Sequence, residues 1–406
     1  MTSFDTSPQL NVWRALLALA VVFVMLATTG WTALRSQRSS TALQTSLSEW
    51  EHGRVAGHRL PDPQETSPHR LARFFASLTP QQRASLARRY PLAVGNMNGA
   101  PVELRYRANR IALGQARKVE LKRMHDVRLT PDGQREAGRR MHRYVSLMSK
   151  DRHILAFNPD GSGRVAEVFG NLKKAERVSV VVPGVDTDLL TFQRTSRQYS
   201  APVGMATALY KAERTASPST RTAVIAWADY TAPSGLGIDS ATAMRAADGA
   251  IRLNALVRAL PGSTPVSLFC HSYGSVVCGL AAHTLPDRVA DIAVAGSPGM
   301  RVAKASHLRT SAQVWAMRDA EDWVQDVPYL EVGGLGHGAD PMSAAFGARV
   351  LSARGADGHS GYFEPGTESL LNFAEIGIGA YRSVHCAGDT EACRTGLSAT
   401  ASAGRA

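Results

Sequence analysis

The chain has 406 residues, 44% hydrophobic and 20% charged, a balance that excludes a disordered polymer and allows one large domain with additions. Its net charge of +12 is unevenly placed: residues 35–150 hold 22 Lys and Arg against 9 Asp and Glu, leaving the remainder one charge on the acidic side. Such a surplus suits nucleic acid or an anionic membrane surface. Here the arginines are spread along helical patterns with no recognition motif, so we expect a solvated basic face near a membrane and no nucleic-acid partner.

Residues 1–14 form a short tail. Residues 15–34, ALLALAVVFVMLATTGWTAL, carry no charge and lie between Arg14 and Arg35, which is enough to span a hydrocarbon core. The bulky Trp31 spoils a signal-peptidase site, so a retained single-pass transmembrane helix is expected. Arg14 precedes it and Arg35 and Arg38 follow, a count that leans towards an inward-facing domain. Residues 35–68 are polar and Pro-bearing and read as a tether.

Residues 69–150 have helical periodicity, with Thr79-Pro80 as a helix start and Pro91–Pro101 as a loop. From residue 151 to 385 the texture changes to seven short apolar runs: HILAFNP, GRVAEVFG, RVSVVVPG, TAVIAWAD, PVSLFCHS, DIAVAGSP and QVWAMR. Asp160-Gly161-Ser162-Gly163 joins the first two as a hairpin. The later runs are apolar without alternation and mostly separated by helical patterns. They predict an α/β fold with a mostly parallel sheet covered by helices on both faces. Residues 386–406 are expected to form a cysteine loop and a disordered tail. Cys386 and Cys393 close a short polar loop and are expected to be bridged, which favours an oxidising, extracytoplasmic compartment. Cys270 and Cys278 lie in apolar surroundings and are expected to be free, buried thiols.

Between the fifth run and the next helix stands Cys270-His271-Ser272-Tyr273-Gly274. A strand, a sharp turn carrying Ser with small residues two positions either side, and a helix make a nucleophile elbow. Ser272 is the candidate nucleophile; its bland alternative is a helix cap. The acid follows a later strand, and the loop after QVWAMR offers Asp319, Glu321, Asp322 and Asp326. Asp322, anchored by Trp323-Val324, is preferred over Asp319, which comes immediately after the strand's Arg318. A His must come next, from His337, His359 and His385. His359, in a glycine-bearing turn before the last helical pattern, is preferred. His271 is set aside because adjacent side chains on a sharp turn diverge. The oxyanion donors expected are the N–H groups of Tyr273 and Val185, the latter after Pro183-Gly184. No metal-ligand spacing or dinucleotide loop occurs, so no cofactor or metal is expected.

The segments VVVPGVDTDLLTF, AWADYTAP, CHSYGSVV, AEDWV, GHGADPMSAAFGAR and GHSGYF resemble signature segments of an actinobacterial α/β-hydrolase family catalogued as a domain of unknown function. The upstream LTPQQRASLARRYPLAVGNMNGAP resembles its helical N-terminal part. The resemblance implies an α/β-hydrolase fold, Ser272, Asp322 and His359 as a triad, and His337 in a structural glycine turn. Where the family usually has Gly, this chain has Cys270. The function expected is a membrane-anchored serine hydrolase of an ester, thioester or amide, esterase- or lipase-like, with a small-molecule or lipid-like acyl substrate. The rival is a catalytically silent hydrolase fold serving as an envelope scaffold. The sequence carries no signal of oligomeric state.

Overall fold

The computed structural model describes residues 41–397. The apolar segment 15–34 lies outside the described residues. Among the described residues no helix is long and apolar enough to cross a membrane. The stretch expected to be a tether is structured from Thr41 onward. Helix α1 (Ala42–Glu51) is closed by a capping box between Thr41 and Gln44. The Asp160 carboxylate also accepts from the N–H groups of Ala42 and Leu43 at 2.9 and 3.1 Å. Trp50 at its far end is fully buried, with its ring 6.1 Å from Phe75 and 5.6 Å from Tyr90. One buried aromatic thus converts a polar stretch into packed structure.

Helices α2 (Pro68–Ser77), α3 (Pro80–Arg89), α4 (Pro91–Asn96), α5 (Val102–Arg123) and α6 (Pro131–Leu147) follow, α4 occupying part of the expected loop. Several arginines of this basic region point inward instead of forming a solvated face. Arg110 donates to the carbonyls of Met148 and Ser149 beyond the end of α6, at 3.0 and 3.2 Å. Arg143 donates to Leu190 and Gln193 at 2.8 and 2.7 Å. Buried Arg140 pairs with Glu120 at 3.2 Å and donates to the Gly161 carbonyl at 2.9 Å. A guanidinium satisfies several acceptors at once, so part of the surplus charge is spent on backbone carbonyls.

All seven apolar runs are strands, and a short eighth joins them. They are β1 (His153–Asn158), β2 (Arg164–Gly170), β3 (Arg177–Val182), β4 (Thr222–Ala228), β5 (Val266–His271), β6 (Val289–Ala295), β7 (Gln313–Met317) and β8 (Arg349–Val350). Their order across the sheet is β8-β7-β6-β5-β3-β4-β2-β1. β2 pairs antiparallel with β1 and β4, and the other neighbours are parallel. The outer edge of β1 is covered by the helical region. The Asn96 amide donates to the Phe157 carbonyl at 2.7 Å and accepts from its N–H at 3.0 Å, standing in for a missing strand.

Helix α7 (Pro202–Ala216) packs on one face of the sheet. After the short α8 (Ile238–Ala241), helices α9 (Met244–Ala259) and α10 (Gly274–Ala281) pack on the other, and α11 (Glu368–Ile378) returns to pack beside α7.

Cys386 is bridged to Cys393, and both half-cystines are buried in the core beside α7 and α11. Cys270 and Cys278, expected to be free, are bridged to each other. The spacing of eight gave no hint, because only the sharp reversal from β5 into α10 brings their Cα atoms to 6.5 Å. A non-reduced peptide mass map is expected to contain both cross-links. Recovery of free Cys270 and Cys278 from oxidised protein would contradict this pairing.

Glu213 on α7 is fully buried and accepts a hydrogen bond from Ser179 of β3. Burial pushes its carboxyl up from the ordinary 4.5 to about 8, against weaker opposing hydrogen bonds. Between those pH values the unfolded chain releases this proton and the folded protein keeps it. The folded state therefore loses stability as pH rises through the interval. Glu213→Gln is expected to flatten that decline, seen as a smaller drop in Tm between pH 5 and pH 8. An unchanged drop would show that the proton is released elsewhere.

Candidate active site

β5 ends at His271 and α10 begins at Gly274. Ser272 between them has φ of +55°, a left-handed conformation that costs a non-glycine residue of order 1 kcal/mol or more. Its N–H is held by the Ala295 carbonyl at 3.0 Å, and its own carbonyl accepts from Ser275 at 2.9 Å. The approach of strand and helix explains the small neighbour at plus two. A Cβ on Gly274 would lie 2.3 Å from the Val182 carbonyl oxygen. At minus two, Cys270 is buried with its sulfur directed to Cys278, so its side chain is accommodated while the turn keeps its form.

Three of the sequence-selected side chains meet in a line. The Ser272 hydroxyl lies 2.9 Å from His359 Nε2, and His359 Nδ1 lies 2.8 Å from Asp322 Oδ1. Burial acts to raise the Asp322 carboxyl, but hydrogen bonds from His359, Tyr362 and the Val324 N–H together hold it below its ordinary range. An ionised carboxylate can only accept, so Nδ1 of His359 carries the proton. Nε2 is then free to accept from Ser272. Asp319, the alternative acid, is occupied elsewhere: its carboxylate accepts from the N–H groups of Glu321 and Gly358 at 3.1 and 3.2 Å. Glu321 and Asp326 are exposed at either end of the same turn.

The other histidines are apart from this line. His337 is buried 5.6 Å from the Tyr273 ring, with Nε2 2.7 Å from the Ser240 carbonyl. His385 is exposed beside the Cys386–Cys393 bridge. The loop bearing Val185 packs on the nucleophile, since a Cβ on Gly184 would come within 2.6 Å of Ser272 Cβ. Val185 and Tyr273 both border the cavity beside Ser272. Among the described residues, no group of three or more His, Cys, Asp or Glu could hold a metal ion.

Three further residues hold these parts, in roles that no sequence pattern marks. Tyr362, on the same turn as His359, donates to Asp322 Oδ2 and accepts from the Asp319 N–H at 3.0 Å. Burial and the adjacent carboxylate push its phenol up, so it remains a donor. His271, beside the serine, is neutral: burial and neighbouring His359 push it down to about 3. Its Nε2 lies 2.7 Å from the His359 carbonyl, tying the elbow to the turn that presents the imidazole. Buried Tyr230 donates to the Pro183 carbonyl at 2.7 Å and steadies the Val185 loop.

The fold is that of the α/β-hydrolase class. The family described as Alpha/beta hydrolase matches residues 158–332, from the end of β1 past Asp322. Two uncharacterized proteins of Mycobacterium tuberculosis, from strains CDC 1551 / Oshkosh and ATCC 25618 / H37Rv, are each 27% identical over 79% of this chain. The chain spans 57% of the length of these curated relatives. Among solved structures, a serine hydrolase without lid from Xanthomonas campestris is similar at 13% identity and a TM-score of 0.27, covering 43% of this chain and 74% of its own. A 2,6-dihydroxy-pseudo-oxynicotine hydrolase is similar at 11% identity and a TM-score of 0.28, covering 62% and 81%. These overlaps are loose.

Tyr362→Phe removes one donor to the Asp322 carboxylate and little volume. A hydrogen bond to a charged group contributes about 1.5–3 kcal/mol. Reaction of Ser272 with a fluorophosphonate is therefore expected to slow by roughly tenfold or more. An unchanged rate would show that His359 is oriented without it.

Proposed function

We propose that the protein is a serine hydrolase that cleaves an ester, thioester or amide through an acyl-enzyme. The observation that carries this reading is the unbroken hydrogen-bonded line from Ser272 through His359 to an ionised, buried Asp322. Ser272 Oγ attacks the substrate carbonyl carbon while His359 Nε2 takes its proton. The imidazolium formed is stabilised by Asp322, which keeps its charge. The carbonyl oxygen becomes an oxyanion, held by the N–H groups of Val185 and Tyr273. His359 then passes its proton to the leaving group, the carbonyl re-forms, and Ser272 is left acylated. Water, deprotonated by the same imidazole, attacks the acyl-enzyme and restores the hydroxyl.

The protein is further proposed to be held to a membrane by residues 15–34, with the hydrolase domain outside the cytoplasm. The uncharged run supports the anchor. Two disulfides, which persist in oxidising compartments, support the orientation against the ambiguous flanking arginines.

A fluorophosphonate probe applied to folded protein is expected to label Ser272 at one site, with Ser272→Ala and His359→Ala both abolishing the label. Absence of labelling in folded wild-type protein would leave the silent scaffold as the better reading.

A further inference from the structure

Ser272 stands at the junction of two cavities of opposite character. One, of about 240 Å³, is bordered by Val185, Leu236, Ala241, Tyr273, Trp323 and Val327, and is mainly apolar. The other, of about 160 Å³, is bordered by Thr187, Thr191, Arg194, Ser200, His359 and Ser360. Ser272 and Val185 border both, so a carbonyl held at the nucleophile has one substituent directed into each.

The chemistry decides which substituent goes where. His359 must deliver a proton to the departing oxygen, so the leaving group lies on its side. His359 borders the polar cavity and not the apolar one, where Tyr273 stands. The apolar cavity therefore receives the acyl chain. Its entrance is also apolar. Leu236, which borders the cavity, and Ile238 next to its Gly237 are exposed and make one lip; exposed Leu330, Val332 and Leu335, close along the chain to Pro328 and Gly336 of its wall, make the other. The lips are joined by a bridge between Thr242 and Leu335 and by His337 hydrogen-bonded to Ser240. Apolar side chains left in water around a pocket mouth fit an apolar ligand.

From this arrangement we infer that the substrate is a carboxylic ester of a short- to medium-chain fatty acid with a polar, hydroxyl-bearing alcohol. The chain is buried between Leu236 and Val327, and the alcohol lies towards Arg194. The inference rests on the serine-hydrolase reading of the same site.

Hydrolysis of p-nitrophenyl esters from acetate to palmitate tests it on the full chain. Each methylene buried should raise kcat/KM about fourfold until the cavity is full, giving an optimum at intermediate length. Ala241→Phe narrows the cavity from the short helix α8, away from the triad, and Leu236→Asp charges its lip. Each is expected to lower the hexanoate-to-acetate ratio of kcat/KM at least tenfold. Glycerol monohexanoate should be hydrolysed at least tenfold faster than hexyl hexanoate. A flat length profile, unaltered ratios in both variants, or preference for the hexyl ester would overturn the inference while fluorophosphonate labelling of Ser272 still stood. Loss of that labelling in wild-type protein would overturn the hydrolase reading beneath it.

Discussion

Everything in this site hangs on one backbone torsion, the left-handed φ of Ser272. A residue in ordinary conformation at the end of β5 would carry its side chain into the sheet layer. The reversal lifts the hydroxyl above the strand ends, where loops from other strands converge. The surrounding structure over-determines the turn. The Ala295 carbonyl of β6 holds the Ser272 N–H, Gly274 lets α10 press against the Val182 carbonyl, and Gly184 closes on the serine from the third strand. Packing on both faces of a buried sheet supplies the free energy that offsets the strain.

With the hydroxyl fixed, the remaining parts are held by groups that cannot change their roles. Tyr362 donates to Asp322 and does not ionise. His271 is neutral and bonded to the main chain of His359. The imidazole is thus constrained through its ring by Asp322 and through its backbone by His271. Trp323 lies beside it, tilted, with ring centroids 4.9 Å apart. Among these rings His359 has partners on both nitrogens able to exchange a proton, the arrangement a shuttle needs.

What the sequence made legible was whatever is encoded along the chain. Strands buried on both faces leave continuous apolar runs, so β1 to β7 could be read directly, the antiparallel β1 and β2 included. The elbow is a local pattern, and Ser272, Asp322 and His359 followed in the required order. Asp322 is already preferred over Asp319 in the sequence, by the Trp323-Val324 that follows it, although both are carboxylates in one loop. Only the structure reveals that Asp319 is committed to two backbone N–H groups. Short β8 has two residues and no pattern. Trp50 is one aromatic in a polar stretch, and its burial depends on Phe75 and Tyr90 brought from other helices. The basic region likewise read as solvated, because a sequence does not disclose which carbonyls an arginine will reach.

The Cys270–Cys278 bridge was hidden for the same reason, and it joins the chemistry of the site to that of its surroundings. Cys270 lies two residues before the strained serine and Cys278 lies on the helix that leaves it. The bridge closes a short loop containing the whole elbow. In the chain-entropy model, closing so short a loop stabilises the fold less than closing a long one. Its particular value is positional: it holds strand end and helix together across the turn that carries the strained serine. Glycine at this position would permit the same approach of strand and helix without any tie between them. In this chain a covalent link replaces that freedom. The position that weakens the match to the usual elbow is therefore also the one that binds the elbow's two sides, and it supports the proposed placement of the domain where disulfides persist.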